Sequence, residues 1–193
     1  MNPGLTQKLY EKYPAIFARR CGFEHGDGWY GIIDTMCLAM SANLTRLLVI
    51  EESRARALGL ECCEKTGKYW IEVKIPQVVA AQVKEKFGTL RFYYDLEYEP
   101  LFRELAFGDD PLPEASAIAD QFSSFLRGIV HYASTLSGRV CEVTGKAGEM
   151  HTTDGNPLGW RRTLNREFAR SDEFCRSRNY LPLADLPQRE NPS

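Results

Sequence analysis

No apolar run in this chain approaches the roughly 18–20 residues that cross a bilayer as a helix. The N-terminus, Met1-Asn-Pro-Gly-Leu-Thr-Gln-Lys8, has no apolar stretch of the kind a secretory leader carries. No membrane partner is expected, and a cytoplasmic address follows. Net charge is nearly absent too. The 24 Lys and Arg stand against 26 Asp and Glu, a formal −2, so the chain as a whole has no electrostatic pull on nucleic acid. Histidine is scarce, at three residues: His25, His131 and His151. There is no Gly-rich phosphate loop, no G-x-S-x-G, no H-E-x-x-H and no D-x-D metal cluster. His25 with Glu24 and Asp27 is the densest polar cluster, and it reads as a helix entry, with Asp27 as N-cap, rather than as an acid–base pair. His131 falls near an apolar helical stripe and reads as a packed or partly exposed residue. No catalytic residue and no cofactor is predicted.

Metal ligands are missing where the pattern would place them. Cys141-Glu-Val-Thr144-Gly145-Lys-Ala-Gly148 reads as the first knuckle of a zinc ribbon, with Thr144 where a second cysteine would stand. Gly159-Trp160-Arg-Arg-Thr163-Leu164-Asn165-Arg-Glu-Phe168 reads as the second, with Asn165 and Phe168 at the ligand positions. A structural zinc needs four ligands in a tetrahedron. Cys141 alone cannot supply them, and the spacing of His151 and Cys175 is not that of a replacement pair. No metal is predicted, and packing of Trp160, Leu164, Phe168 and Phe174 is expected to hold the segment instead. The six cysteines (Cys21, Cys37, Cys62, Cys63, Cys141, Cys175) read as free thiols in a reducing compartment. Cys62 and Cys63 are adjacent, too close to grip a metal as a C-x-x-C does, and nothing near them in sequence predicts a lowered thiol pKa.

What is present is enough apolar material, 44% of residues, for a real core. Leu5, Leu9, Tyr13, Ile16 and Phe17 fall at helical spacing, with Pro14 dividing a short helix from a turn. Ile32, Ile33, Met36, Cys37, Met40 and Leu44 predict a helix over about 28–44. The stretch 45–60 is ambiguous, a short apolar run Leu47–Ile50 followed by the charged and helix-prone Glu51–Leu58, and reads as a second helix stopped by Gly59. Around Lys84-Glu85-Lys86-Phe87-Gly88, period-2 alternation of β-branched and aromatic residues predicts a hairpin over 77–95, with Trp70–Ile75 as a third strand. Residues 95–114, acidic and broken by Pro100, Pro111 and Pro113, read as a flexible loop. Ile118, Phe122, Phe125, Leu126, Ile129, Ala133 and Leu136 predict a helix over about 115–137, ended by Gly138. A further helix is expected near 165–178.

The fold class that results is α+β: a small antiparallel sheet packed by the helices at about 28–44 and 115–137. The domains expected are an α+β core over 1–138, a degenerate zinc-ribbon-like subdomain over 139–180 and a tail over 181–193. Dimerisation through the long amphipathic stripe is left open.

Gly26-Asp27-Gly28-Trp29, then Val83-Lys-Glu-Lys-Phe-Gly-Thr-Leu-Arg-Phe-Tyr-Tyr94, then Cys141-Glu-Val-Thr-Gly145 and Gly159-Trp160-Arg-Arg-Thr-Leu164 stand in that order. This arrangement resembles a family of small, largely uncharacterised phage and prophage proteins with a G-D-G-W motif, a V-K-E-K-F-G-T-L-R-F-Y-Y hairpin and a C-terminal C-x-x-C-G…G-W-x-x-T-L-C knuckle pair. The likeness covers about residues 8–170, with an insertion around 45–70. It implies a phage or prophage origin, and a host cytoplasm as the address, more than it implies a reaction.

The surfaces that remain as candidates are three. The hairpin mixes Lys84, Lys86, Arg91 and Tyr93, as platforms for single-stranded nucleic acid do, although the same residues suit a solvated face. Arg161, Arg162, Arg166 and Arg170 lie in a basic stretch, and the last three, four apart, would form one ridge on a helix that phosphate could contact. Glu97, Glu99, Asp109 and Asp110 mark an acidic surface. Segregated charge suits steered association. The expected function is a non-enzymatic binding protein that engages a host or phage protein, such as a host defence or nucleic-acid-processing complex, as inhibitor or modulator. The alternative is a nucleic-acid-binding accessory protein that uses the hairpin and the C-terminal arginines.

Overall fold

A computed structural model describes residues 1–41 and 45–186. The fold is α+β, and the chain forms two compact units. Unit 1 takes Met1–Ala39, Val79–Asp95 and Ile129–Ser193; unit 2 takes Met40–Val78 and Leu96–Gly128. Residues 139–180 are thus grouped with the hairpin and the G-D-G-W motif. Among the described residues no helix is long and apolar enough to cross a membrane.

Unit 1 begins with helix α1 (Pro3–Lys12), capped by Asn2, whose side chain accepts from Leu5 N, and ended at Tyr13 as Pro14 requires. Strand β1 (Phe23–Glu24) lies parallel to β5 (Gln77–Lys86), and β5 turns into β6 (Thr89–Glu97), giving the order β1-β5-β6. Ala80 N donates to Ile16 O at 2.7 Å, and β5 is buried at the successive residues Val78, Val79 and Ala80. A single 3₁₀ turn (Asp27–Trp29) leads into α2 (Tyr30–Met40), which buries Ile32, Ile33, Met36 and Cys37. The helix expected to reach residue 44 stops at Met40, and 42–44 lie outside the described residues. Asp27 does not cap it; its carboxylate accepts from Asn2 N and Asn2 Nδ2 instead, which holds its pKa below the usual range. Helix α5 (Pro113–Ser137) ends beside the hairpin, where Ser137 Oγ accepts from Leu90 N at 2.8 Å.

The C-terminal part of unit 1 is a second sheet, β8-β7-β9, built from β7 (Glu149–Thr153), β8 (Arg161–Leu164) and β9 (Tyr180–Pro182). Two short helices, α6 (Arg166–Ser171) and α7 (Glu173–Ser177), stand where one was expected. Asn165 explains the start of α6: its side chain accepts from Glu167 N and Phe168 N, so the residue at a ligand position is a helix cap. Asp172 then separates α6 from α7, acting as C-cap of one and N-cap of the other. Cys141, Leu164, Ala169, Cys175 and Tyr180 form an apolar cluster with Val143 and Phe168 against it. Leu164 and Phe168 pack as expected. Trp160 and Phe174 do not; both are more than half exposed. The expected tail starts inside β9, and 187–193 lie outside the described residues.

Unit 2 departs further from expectation. Residues 45–60 are not one helix. Thr45–Ile50 is strand β2, followed by the short helix α3 (Glu52–Ala57). β4 (Lys68–Lys74) does not extend the hairpin; it is the middle of a separate antiparallel sheet, β2-β4-β3, with β3 at Cys62–Cys63. The acidic stretch contains helix α4 (Pro100–Phe107), with Pro100 in its first turn, where its missing N–H costs nothing. The core here joins Leu48, Ile50, Ile71 and Val73 of the sheet to Phe102, Leu105 and Ala106 of α4 and to Ala115 and Ala119 of α5.

Candidate functional site

The two glycine motifs of unit 1 are halves of one joint. Gly28 N donates to Glu142 O at 2.8 Å, Gly26 N donates to Glu142 Oε1 at 3.1 Å, and Trp29 Nε1 donates to Val140 O at 2.8 Å. A Cβ on Gly28 would fall inside contact distance of Cys141 O and Gly145 N, and one on Gly26 would lie 2.5 Å from Glu142 O. Backbone meets backbone at a spacing only glycine allows. Glu142 is 4% exposed, and its second carboxylate oxygen accepts from Arg162 Nε at 3.0 Å. Hydrogen bonds close the knuckle turn: Gly145 N donates to Cys141 O, Cys141 N donates to Lys146 O, and Thr144 N donates to Cys141 Sγ at 3.4 Å. Burial raises the Cys175 thiol to about 12, aided by Asp172. Among the described residues no three His, Cys, Asp or Glu gather as a metal ion would require.

The hairpin docks on the same sheet. Thr163 Oγ1 donates to Gly88 O at 2.6 Å, and a Cβ on Gly88 would run into the Met150 thioether. Phe87 and Gly88 both have positive φ, 56° and 78°, as a two-residue type I′ turn demands. Gly88 suits the second position. Phe87 does not suit the first: a left-handed residue with a Cβ costs roughly 1–2 kcal/mol, and burial does not offset it, because the ring is 62% exposed.

Beside that turn the loop between β7 and β8 carries Leu158 and Trp160, exposed at 79% and 67%. Glu85, Lys86, Phe87, Leu158, Trp160 and Arg161 enclose a cleft of about 590 Å³. The loop is fixed from within. Thr152 Oγ1 donates to Asn156 O, Gly159 N donates to the same oxygen, Leu158 N donates to Asn156 Oδ1, and Trp160 N donates to Thr153 Oγ1. Arg161 donates one guanidinium N–H to Pro157 O at 2.9 Å. Lys86 Nζ stands 5.2 Å from the Phe87 ring centroid. Glu85 Oε1 accepts from Gly88 N, and burial raises the carboxyl above its ordinary pKa.

The structure brings Lys86 and Arg161 together and separates the other expected site residues. Lys84 lies over the Tyr93 ring at 5.6 Å on the hairpin, and Arg91 donates to Ser134. The arginine ridge is not formed. Arg162 sits on a strand, half-buried against Glu142; Arg166 opens α6, exposed but paired with Glu149 and Asp185; Arg170 is exposed further along α6. In unit 2, Glu99 pairs with Lys74 and Asp110 with Arg54, while Asp109 and Glu97 are exposed. Phe87, Leu158 and Trp160 were not singled out as binding residues by sequence. The signal for the first was a bulky residue before Gly88 where Asn or Asp is usual. Cys63 departs from the expectation of an ordinary thiol: the Thr66 side chain, then the Lys65 and Thr66 backbone, hold it below the ordinary pKa.

The class of protein these features define is an α+β protein with an open aromatic cleft. No protein-family model, no curated protein and no solved structure matches the chain.

Proposed function

We propose that this chain is a non-enzymatic binding protein that engages a protein partner at the cleft beside the hairpin turn. The observation that carries the reading is Phe87. It holds a left-handed backbone at a cost of roughly 1–2 kcal/mol and presents its ring to solvent next to Leu158 and Trp160. Strain kept without burial is the mark of a residue whose gain lies outside the folded chain. Exposed aromatics in a shaped recess are the usual anchors of protein interfaces. The Glu142 carboxylate is engaged by the Gly26 backbone N–H and by the half-buried Arg162 guanidinium. The phage or prophage setting, with a host defence or nucleic-acid-processing complex as the target, follows from the resemblance.

The test is affinity capture from an infected or lysogenic host with the wild-type chain and with Phe87→Asn and Trp160→Ala. The reading requires a captured protein that both variants lose. An unchanged captured set would overturn it.

The nucleic-acid reading keeps one specific observation: Lys84 and Lys86 each lie over an exposed aromatic ring of the hairpin, Tyr93 and Phe87. Against it, the ridge that would contact phosphate is dispersed, and Leu158 offers no stacking face. A mobility shift with single-stranded DNA or RNA at low salt, lost on Lys84→Ala and Lys86→Ala, would favour it.

A further inference from the structure

We infer that the partner of this cleft is a protein segment in which acidic residues flank one large apolar or aromatic side chain. The inference rests on the binding reading above and names the chemistry that satisfies it. Volume is the first argument. About 590 Å³ suits one or two large side chains, and pockets of this order take them as buried anchors. The floor and walls at Phe87, Leu158 and Trp160 reward apolar burial.

Charge is the second argument. Among the described residues no carboxylate lies in ion-pair range of Lys84, Lys86 or Arg161, whereas Arg162 and Arg166 of the same stretch are paired. Arg161 spends one N–H on Pro157 O, and a guanidinium carries five. The remaining N–H groups can take a carboxylate through two parallel bonds, and Lys86 adds a point charge on the other side. The one acid of the cleft, Glu85, has an oxygen already turned to Gly88 N. The recess is therefore apolar inside and cationic at its edge, complementary to an acidic segment with an apolar centre. The hydrogen bonds within residues 152–161 fix this arrangement before any partner arrives, which lowers the ordering cost of binding.

The experiment uses the full chain and fluorescein-labelled peptides followed by anisotropy: Glu-Asp-Phe-Asp-Glu, its uncharged counterpart Ser-Asn-Phe-Asn-Ser, the basic Lys-Arg-Phe-Arg-Lys, and the acidic Glu-Asp-Ala-Asp-Glu. Circular dichroism confirms that each protein variant is folded. The acidic Phe peptide should bind about tenfold or more tightly than the other three. Its affinity should fall as salt rises, and it should fall about tenfold with Arg161→Ala or Trp160→Ala. Equal binding of the uncharged Phe peptide would overturn the acidic partner and leave the cleft reading standing. Binding of no peptide, with capture from lysate unchanged in Phe87→Asn and Trp160→Ala, would overturn both. Concentration-dependent self-association in sedimentation, removed by Trp160→Ala, would put a second copy in the cleft and overturn the inference. Tighter binding of a single-stranded oligonucleotide than of the acidic peptide, dependent on Lys86 and Arg161, would do the same.

Discussion

Unit 1 and unit 2 are held by different means. In unit 1 every contact that defines the joint has backbone on at least one side: Gly28 N donates to Glu142 O, Gly26 N to the Glu142 carboxylate, and the Thr163 hydroxyl to Gly88 O. Unit 1 buries apolar side chains as well, Phe17, Trp29 and Ile33 among them, and the missing side chains of Gly26 and Gly28 add a close backbone approach to that core. In unit 2 the described core is a patch of apolar side chains, Leu48, Ile50, Ile71 and Val73 against Phe102, Leu105 and Ala106, and no glycine is wedged into it. One unit depends on close approach and the other on volume. A unit of the first kind leaves short fixed motifs in a sequence. One of the second kind leaves only a pattern of hydrophobicity, which many sequences satisfy.

The sharpest way to break the comparison is to add one methyl group. Gly28→Ala places a Cβ against Cys141 O and Gly145 N, both backbone atoms that cannot swing aside. The joint should open at a cost of about 5 kcal/mol, far above an ordinary overpacking penalty. Hydrogen exchange should rise at residues 23–30 and 139–148 and stay unchanged at β2 and β4. Gly31→Ala is the matched control: a Cβ there meets nothing within 4 Å, and the helix should gain about 0.5–1 kcal/mol. Destabilisation by both would mean that close approach is not the cause.

Unit 2 should respond to loss of volume. Phe102 is 1% exposed and stacks on Tyr98 at 6.1 Å, so Phe102→Ala should cost about 3–5 kcal/mol through lost transfer energy and a cavity. Exchange should rise in β2 and β4 first. A uniform rise over both units would erase the distinction between them.

Acid should separate the units again. His25 is buried between Phe23 and Trp29, with Nδ1 on Gly26 O and Nε2 without a partner. Burial lowers its pKa below the ordinary 6.5, the Gly26 carbonyl opposes this, the N-terminal ammonium adds to it, and Glu142 and Asp27 oppose it. The folded state therefore binds its proton later than the unfolded state as pH falls. The stability from a neutral His25 is complete above the unfolded pKa and is lost as pH drops through 6.5 towards the folded value. Urea midpoints of unit 1, followed by Trp29 in near-ultraviolet dichroism, should fall over that window and flatten in His25→Phe. The same slope in His25→Phe would assign the effect to another group.

The contrast also explains what could be read in advance. Helix α1 ending before Pro14, the hairpin around Phe87-Gly88 and helix α5 followed by Gly138 were legible because each is bounded by a residue with few conformational options. Leu47–Ile50 was not: an apolar run that short suits a strand or a buried helix equally, and only pairing with Tyr69–Glu72 decides it. Pro100 was read as a loop signal when it opens a helix, and the acids around α4 hid Phe102, Leu105 and Ala106 between them. The expected arginine ridge assumed one helix from 162 to 170, whereas Asn165 is a cap. Of the site, Lys86 and Arg161 were named as candidates, on different surfaces. Their meeting with Leu158 and Trp160 depends on Thr163 holding the hairpin turn, a contact 75 residues apart in sequence.

A change in stability as small as that of Gly31→Ala carries the most weight for function. Phe87→Asn converts the turn to Asn-Gly, the pair that type I′ geometry prefers. It should relieve left-handed strain and stabilise the hairpin by about 0.5–1 kcal/mol, less than the full penalty because the variant gives up the contact of the ring with Lys86. If Phe87 were merely tolerated, a better turn would improve the protein and change nothing else. If the ring is kept for a partner, the same variant should melt slightly higher and bind about tenfold more weakly. Thermal unfolding beside peptide anisotropy reads both quantities on one sample. A variant that is more stable and binds as well as the wild type would remove Phe87 from the site, and with it the observation on which the cleft reading stands.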